Sequence, residues 1–417
     1  MLDMANEDAP PEAPSFLEEA SRRLGQLPRW GLERAMETAR RVADPNGTQG
    51  SSHTLTEHVQ NLAASAMRRS TDAARISLSP QATAATVVEI RNKAEVYFFV
   101  RGNRHTLCIP ATYPDPFPLS FYLERAYDRH DFPALFAVEG LGREFGRSQV
   151  RKDSSVTGLL HEDSHLPLPR KSVLMLHAGL GMSFAKQLLD DLPRQVSRAE
   201  LEKAVDQFVQ LCRNNARPGY QIATLEPLGL VTRTFHARLT RDVDEVLKAR
   251  YPALRHLYWH GAGRAVYFLA QNALPCATWD SFLQCEQECV DDLSREELLA
   301  GQAWAFCMVN MRQPEVLLHL FVTPHAANHP LPTAFQRGIA AALVMRQETT
   351  PGTGMITRLL EFDSIPARSR QAWDHFVLGP ARQALGELES ASSAAQWMNE
   401  AFDFSETDSI LRSTTTS

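Results

Sequence analysis

Residues 254–274, LRHLYWHGAGRAVYFLAQNAL, run without a proline for roughly six helical turns and stop ahead of Pro275. At helical spacing His256, His260, Arg264, Tyr267 and Gln271 share one face, and small or apolar residues fill the rest. Gly261 and Gly263 each cost about 1 kcal/mol relative to alanine inside a helix. A helix keeps such glycines where another backbone must come close. The stretch therefore predicts a helix buried on most sides, with a polar seam directed into the protein, and a chain built around helices of this kind.

The 417 residues are 44% hydrophobic and 22% charged with a net charge of -6, enough for a large core and ordinary for a soluble globular protein. No basic stripe accompanies the mild acidity, which argues against a nucleic-acid partner. Residues 1–14, MLDMANEDAPPEAP, are acidic and Pro-rich, unlike a secretory leader, and no stretch approaches 18 uncharged apolar residues. A cytoplasmic location without a membrane span is expected. The six cysteines form no C-x-x-C pair, and Cys285 and Cys289, four apart on a predicted helix, lack matching zinc ligands. Reduced thiols are expected.

Five regions are predicted. Residues 1–14 and 404–417 are disordered tails. Residues 15–115 form an N-terminal helical region, with helices in 15–43 and 54–70 around the linker DPNGTQGSSH. In it EVYFFVRGNRHTLCIP, residues 95–110, has β-branched and aromatic runs on either side of a Gly-Asn turn and predicts a β-hairpin. Residues 116–348 are a helical-repeat core, and 349–403 are C-terminal helices. Predicted helical spans are 118–129, 132–146, 170–192, 197–215, 222–236, 239–249, 254–274, 278–290, 294–312, 314–322, 332–347, 366–388 and 391–402. Ser197 with Glu200, and Ser294 with Glu297, fit capping boxes.

A degenerate repeat runs through the core. FAVEGLGREF, LHAGLGMSFA, EPLGLVTRTF, WHGAGRAVYF and LAGQAWAFCM each place glycine among small residues ahead of an apolar or aromatic turn. Their glycines Gly140, Gly179, Gly229, Gly261 and Gly301 are 39, 50, 32 and 40 residues apart, spacings that suit a two-helix unit. The fold class predicted is all-α, stacked antiparallel helix pairs with one small N-terminal hairpin. Gly181 and Gly263 join the five as structural glycines at close helix contacts.

The order of these segments resembles the enediyne biosynthesis accessory proteins, a bacterial family found in polyketide gene clusters. The similarity rests on Glu139-Gly140, Gly179-Leu180-Gly181-Met182, Leu228-Gly229-Leu230, Gly261-Ala262-Gly263-Arg264-Ala265-Val266-Tyr267-Phe268 and Ala300-Gly301-Gln302-Ala303-Trp304-Ala305, within about residues 130–325. The Gly-x-Gly-Arg-Ala run is the most specific of these, and the third segment lacks the family's aromatic residues beside its glycine. The resemblance implies an accessory role in specialised metabolism and carries over no catalytic residue.

Glu139, His177, Glu226, His236, His260 and Arg264 lie in or beside the repeat segments, with Tyr267 and Trp304 as aromatic walls. Stacked repeats would bring these groups to one ligand pocket, fit for acid–base work, or leave them as local structural pairs such as Glu139 with Arg264. No H-x-x-H, H-E-x-x-H or E-x-x-H pair occurs in these helices, so no metal is predicted, and without nucleotide or nucleophile-elbow motifs no cofactor is either. The His161, Glu162, Asp163 and His165 group on the polar loop 147–168 is read as solvated. The expected partner is a hydrophobic small molecule or a biosynthetic partner protein; a non-catalytic scaffold that binds a partner in its groove is the alternative.

Overall fold

The computed structural model describes residues 80–391, apart from 130–131, 154, 162–167, 270–271, 273–276 and 323–330, together with 396–397. The expected tails, the linker 44–53 and the helices in 15–43 and 54–70 lie outside these residues, as does most of 391–402. Contacts divide the chain into two units, Met1–Gln81 and Ala82–Ser417, and the described helices lie almost wholly in the second.

Every regular element among the described residues is helical. The chain opens with α1 (Pro80–Arg101), the single turn α2 (Asn103–Thr106), α3 (Leu119–Arg129) and α4 (Ala134–Val150). Next come α5 (Arg170–Asp190), α6 (Arg198–Asn215), α7 (Gln221–Leu225), α8 (Pro227–Phe235), α9 (Thr240–Arg250) and α10 (Leu254–Phe268). After these stand α11 (Ala277–Glu288), α12 (Asp292–Asn310), α13 (Pro314–Val322) and α14 (Thr333–Thr349). The last are α15 (Met355–Leu360), α16 (Ala367–Trp373) and, after a π-helical turn at Asp374–Leu378, α17 (Gly379–Ser390).

The hairpin expected over 95–110 is absent, and α1 and α2 occupy its place. Val96, Phe99, Val100, Asn103 and Leu107 are buried while Tyr97 and Phe98 are exposed, a helical spacing that a two-residue strand alternation cannot produce. Gly102 does not turn the chain back, since its N–H still reaches Phe98 O at 2.8 Å.

Other boundaries differ as well, three of them for clear local reasons. The helix at 254 ends at Phe268 rather than 274: Leu269 leaves helical geometry, and Asn272 Nδ2 donates to Val266 O at 2.7 Å. That bond satisfies one of the carbonyls a helix end leaves open. Pro227, lacking an N–H, divides the expected 222–236 helix into α7 and α8. The capping box of α6 forms as expected on Ser197 and Glu200, but α12 is capped by Asp291 with Ser294, not by Ser294 with Glu297.

Contacts run from α4 to α5, α8, α10, α12 and α14 in turn, and α14 also meets α5. Glycines set these contacts. A Cβ at Gly142 would strike Leu176 O while one at Gly179 would strike Glu139 O. Gly229 and Gly261 face Tyr258 O and Glu226 O in the same reciprocal way, and Gly263 and Gly301 face Leu298 O and His260 O. In each pair the contact moves down one helix as it moves up the other, so the two run antiparallel. On both helices a carbonyl precedes the contacting glycine by three residues. The alternation within Gly-x-Gly follows from helical geometry, because residues two apart point about 200° from each other. Gly179 and Gly261 face the preceding helix, whereas Gly181 (against Thr224 O) and Gly263 face the following one. No helix among the described residues is long and apolar enough to cross a membrane.

Candidate functional site

The close backbone contacts decide where the polar side chains fall. Glu139, Glu226 and His260 are themselves residues whose carbonyls press on a glycine of the next helix, Gly179, Gly261 and Gly301 respectively. Their side chains therefore start from backbones held unusually near their neighbours. Glu226 sits at the break between α7 and α8, and His260 and Arg264 are one turn apart on α10.

These residues form one buried ion cluster. Arg264 donates from Nη2 to Glu139 Oε1 at 2.9 Å and from Nη1 to Glu226 Oε2 at 2.6 Å. His260 Nδ1 lies 3.1 Å from Glu226 Oε1, so both oxygens of Glu226 are engaged. The Arg264 guanidinium also lies over the Trp304 ring, 4.3 Å from its centroid, and the Trp304 indole N–H donates to the Met345 sulfur at 3.1 Å. Burial pushes the Glu139 carboxyl up, and Arg264 offsets this only in part. Burial also acts to raise Glu226, but Arg264 and His260 outweigh it and hold that carboxyl below the usual range. Burial opposes the Arg264 charge, yet the two carboxylates leave its pKa above the ordinary value. Breaking such a cluster is costly because a buried charge would be left without a partner.

One side of the cluster is the wall of a cavity. Glu226, His260, Arg264 and Trp304 line it together with the apolar Leu174, Ala178, Ile222, Ala223, Leu257, Ala341 and Met345. The bounded space is about 60 Å³, and the depression outlined by these side chains holds about 500 Å³ with its solvent-filled part included.

The other expected site residues lie elsewhere. Tyr267 turns toward α1: its hydroxyl donates to Glu89 Oε1 at 2.9 Å and accepts from Asn310 Nδ2 at 2.8 Å, with Lys93 Nζ 3.9 Å over its ring. His177 is fully buried, donating from Nδ1 to Val173 O at 2.7 Å and accepting at Nε2 from the Arg217 N–H at 2.9 Å. Those two bonds fix a neutral tautomer, and burial pushes its pKa down to about 4. His236 Nε2 stands 3.2 Å from Asp190 Oδ1. His256, on the predicted seam, pairs with Glu297 at 3.0 Å, and Arg337 reaches the same Glu297 oxygen at 3.0 Å. Of the loop group at 161–165 only His161 is among the described residues, and no group of three or more potential metal ligands occurs among them.

Sequence reasoning missed two buried cations. Arg255 makes a bidentate pair with Asp244, which also accepts the Trp259 indole N–H at 2.7 Å and so ties α9 to α10. Arg346 is wholly buried with no carboxylate partner among the described residues; it donates to Phe132 O at 2.8 Å and Met308 O at 3.1 Å and lies 4.6 Å over the Phe132 ring. Burial lowers its pKa to about 9. Met345 and Ala341, across the cavity from α10, lie in an alanine-rich run whose composition shows only core. No protein-family model matches the chain, and neither the curated proteins nor the solved structures gave a significant match.

Proposed function

We propose that this protein binds a hydrophobic small molecule in the cavity beside Arg264, as an accessory protein of polyketide- or enediyne-type specialised metabolism. The observation that carries the binding reading is the composition of the cavity wall: apolar side chains on most of it, with Glu226, His260, Arg264 and Trp304 brought together on one side. Ligand sites commonly combine an apolar enclosure with a few convergent polar groups. A bounded space of about 60 Å³ suits one end or ring of a larger molecule, the remainder lying in the wider depression. The pathway class comes from the glycine-segment resemblance, and the reciprocal glycine contacts suit a helical-repeat-like stack of antiparallel pairs. The hydrogen-bonded Glu226–His260 pair adds a group able to move a proton, so transformation of the bound molecule belongs to the same proposal.

The test is retention from an organic extract of polyketide-producing cells, dialysed against the full chain and analysed by mass spectrometry. The proposal expects a small set of hydrophobic species to be retained, and to be lost in the folded, cavity-filling variant Ala178→Leu. Equal retention by parent and variant would count against this cavity. Retention of nothing would turn the reading toward a partner-binding scaffold.

A further inference from the structure

Away from the cavity, we infer that the protein self-associates through the outer face of α1, in an antiparallel contact with a second copy whose two-fold axis passes at Ala94. At ~100° per residue, Val87, Ile90, Arg91, Tyr97, Phe98 and Arg101 all fall within about 60° of Ala94 around the helix. Ala94 and Arg91 are exposed, Val87 and Arg101 are half-buried, and Ile90, Tyr97 and Phe98 are 37%, 45% and 53% exposed. The opposite face is engaged with the core: Val96, Phe99 and Val100 are buried, Lys93 Nζ donates to Asn272 O at 2.8 Å, and Asn92 Nδ2 donates to Asn310 Oδ1 at 3.1 Å. A solvated helix face carries mostly polar and charged side chains. This one has two arginines, no carboxylate, and otherwise apolar or aromatic residues.

The pattern about Ala94 identifies the occupant. A two-fold axis makes a contact reciprocal, so the face must complement itself. With the axis at Ala94, that small residue meets its own copy and lets the two backbones come close. Helical geometry then sets Tyr97 opposite the partner's Ile90 on one flank and Phe98 opposite the partner's Arg91 on the other. The first pair is aromatic on aliphatic, and the second puts a guanidinium on an aromatic ring. At each end Val87 meets the aliphatic stem of the partner's Arg101. Arg101 holds its guanidinium 4.8 Å from the centroid of the Phe235 ring of its own chain, away from that contact. The two Arg91 residues stand ~9 Å apart along the helix axis, about one Debye length at physiological salt. No charge therefore directly opposes a like charge.

The available area sets the strength of the contact. A fully buried aromatic side chain covers ~150–250 Å². Tyr97 and Phe98, each about half exposed, therefore offer roughly 100 Å² apiece, and Ile90, Ala94 and the flanking residues extend the patch to a few hundred. A stable complex buries about 800 Å² on each partner. The α1 face alone falls short of that figure, so the dimer should be weak, dissociating at tens to hundreds of micromolar.

Analytical ultracentrifugation of the full chain from ~5 μM to ~1 mM reads the association directly. The expected result is a monomer–dimer equilibrium in that range. Ala94→Arg sets two like charges on the axis and should weaken the dimer at least tenfold. Position 94 is exposed and arginine is a good helix former, so circular dichroism should show the parent fold. An equal mixture of Ala94→Arg and Ala94→Glu should associate more tightly than either variant alone, because opposite charges then meet across the axis. A photo-crosslinking residue in place of Phe98 should join two chains. A monomer throughout the range would overturn the inference, as would a dimer indifferent to Ala94→Arg. A mixture no better than its components, or crosslinks confined to one chain, would overturn it too by assigning the face to some other occupant.

Discussion

Substituting Gly261 by alanine adds one methyl group where two helices touch. The new Cβ would lie 2.9 Å from Leu230 N and 3.3 Å from Glu226 C, with the Glu226 carbonyl oxygen nearer still. Unbonded heavy atoms settle near 3.5–4.0 Å, so α8 and α10 must part by roughly 1 Å. Overpacking of this kind costs about 1–3 kcal/mol. Alanine's better helix propensity returns about 1 kcal/mol. The displaced backbone also carries Glu226, whose bonds to Arg264 and His260 would lengthen; hydrogen bonds to charged groups contribute about 1.5–3 kcal/mol each. A net loss of about 1–3 kcal/mol is therefore expected. Gly386, exposed on α17, is the control, since a Cβ there meets nothing within 4 Å. Gly386→Ala should gain up to about 1 kcal/mol through propensity alone. Urea unfolding of the full chain, followed by circular dichroism, gives the two midpoints. A Gly261→Ala protein as stable as its parent, or a Gly386→Ala protein that loses as much, would refute the close-contact reasoning.

Arg264→Met should cost about 3–5 kcal/mol by leaving Glu139 and Glu226 buried without a cation. Its deficit should shrink from pH 7 to pH 5.5 as those carboxyls take up protons, and a deficit independent of pH in urea titrations would contradict the cluster. His177 is held well below its unfolded pKa, so its contribution is present above about pH 6.5 and is lost as pH falls toward 4. Parent stability should fall by as much as ~3 kcal/mol more than that of His177→Gln over this window, and parallel pH profiles would reject it. Arg346→Lys should lower stability by about 2 kcal/mol, because one ammonium cannot reproduce a planar fork on two carbonyls and an aromatic face. A thermal melt unchanged from the parent would argue against that anchoring.

Most helices from residue 116 onward are legible in the sequence because apolar periodicity, prolines and caps agree there; α13 runs from Pro314 to Val322 as its flanking signals require, whereas α15 falls in no predicted span and the expected 366–388 helix is interrupted by the π-helical turn at Asp374–Leu378. The segment 95–110 reads as a hairpin because Val, Phe and Tyr favour strands, while packing at helical spacing decides the outcome. Val96, Phe99, Val100 and Asn103 carry that spacing in plain view. The glycine segments are legible as a repeat, but a sixth member is not. Gly338, whose Cβ would strike Ala300 O and lie 2.8 Å from Trp304 N, sits in AFQRGIAAAL, which lacks the aromatic turn of the others. The pairing of Arg264 with Glu139 is foreseeable as a charge-balance need. That Glu226 and His260 join them, and that His177 and Tyr267 do not, depends on which helix backbone each glycine admits. Spacing along the chain does not encode that choice.

The cavity itself is tested most directly by methyl NMR on the full chain during titration with cyclopentanone. Met345 lines the cavity beside Trp304, whereas Met308 is fully enclosed in the core and does not line the cavity. A ligand seated against Arg264 should shift the Met345 methyl saturably, with ligand-to-methyl Overhauser contacts to Met345 and Ala178 and little change at Met308. Saturable binding that leaves Met345 and Ala178 unmoved, or shifts every methionine alike, would contradict the account.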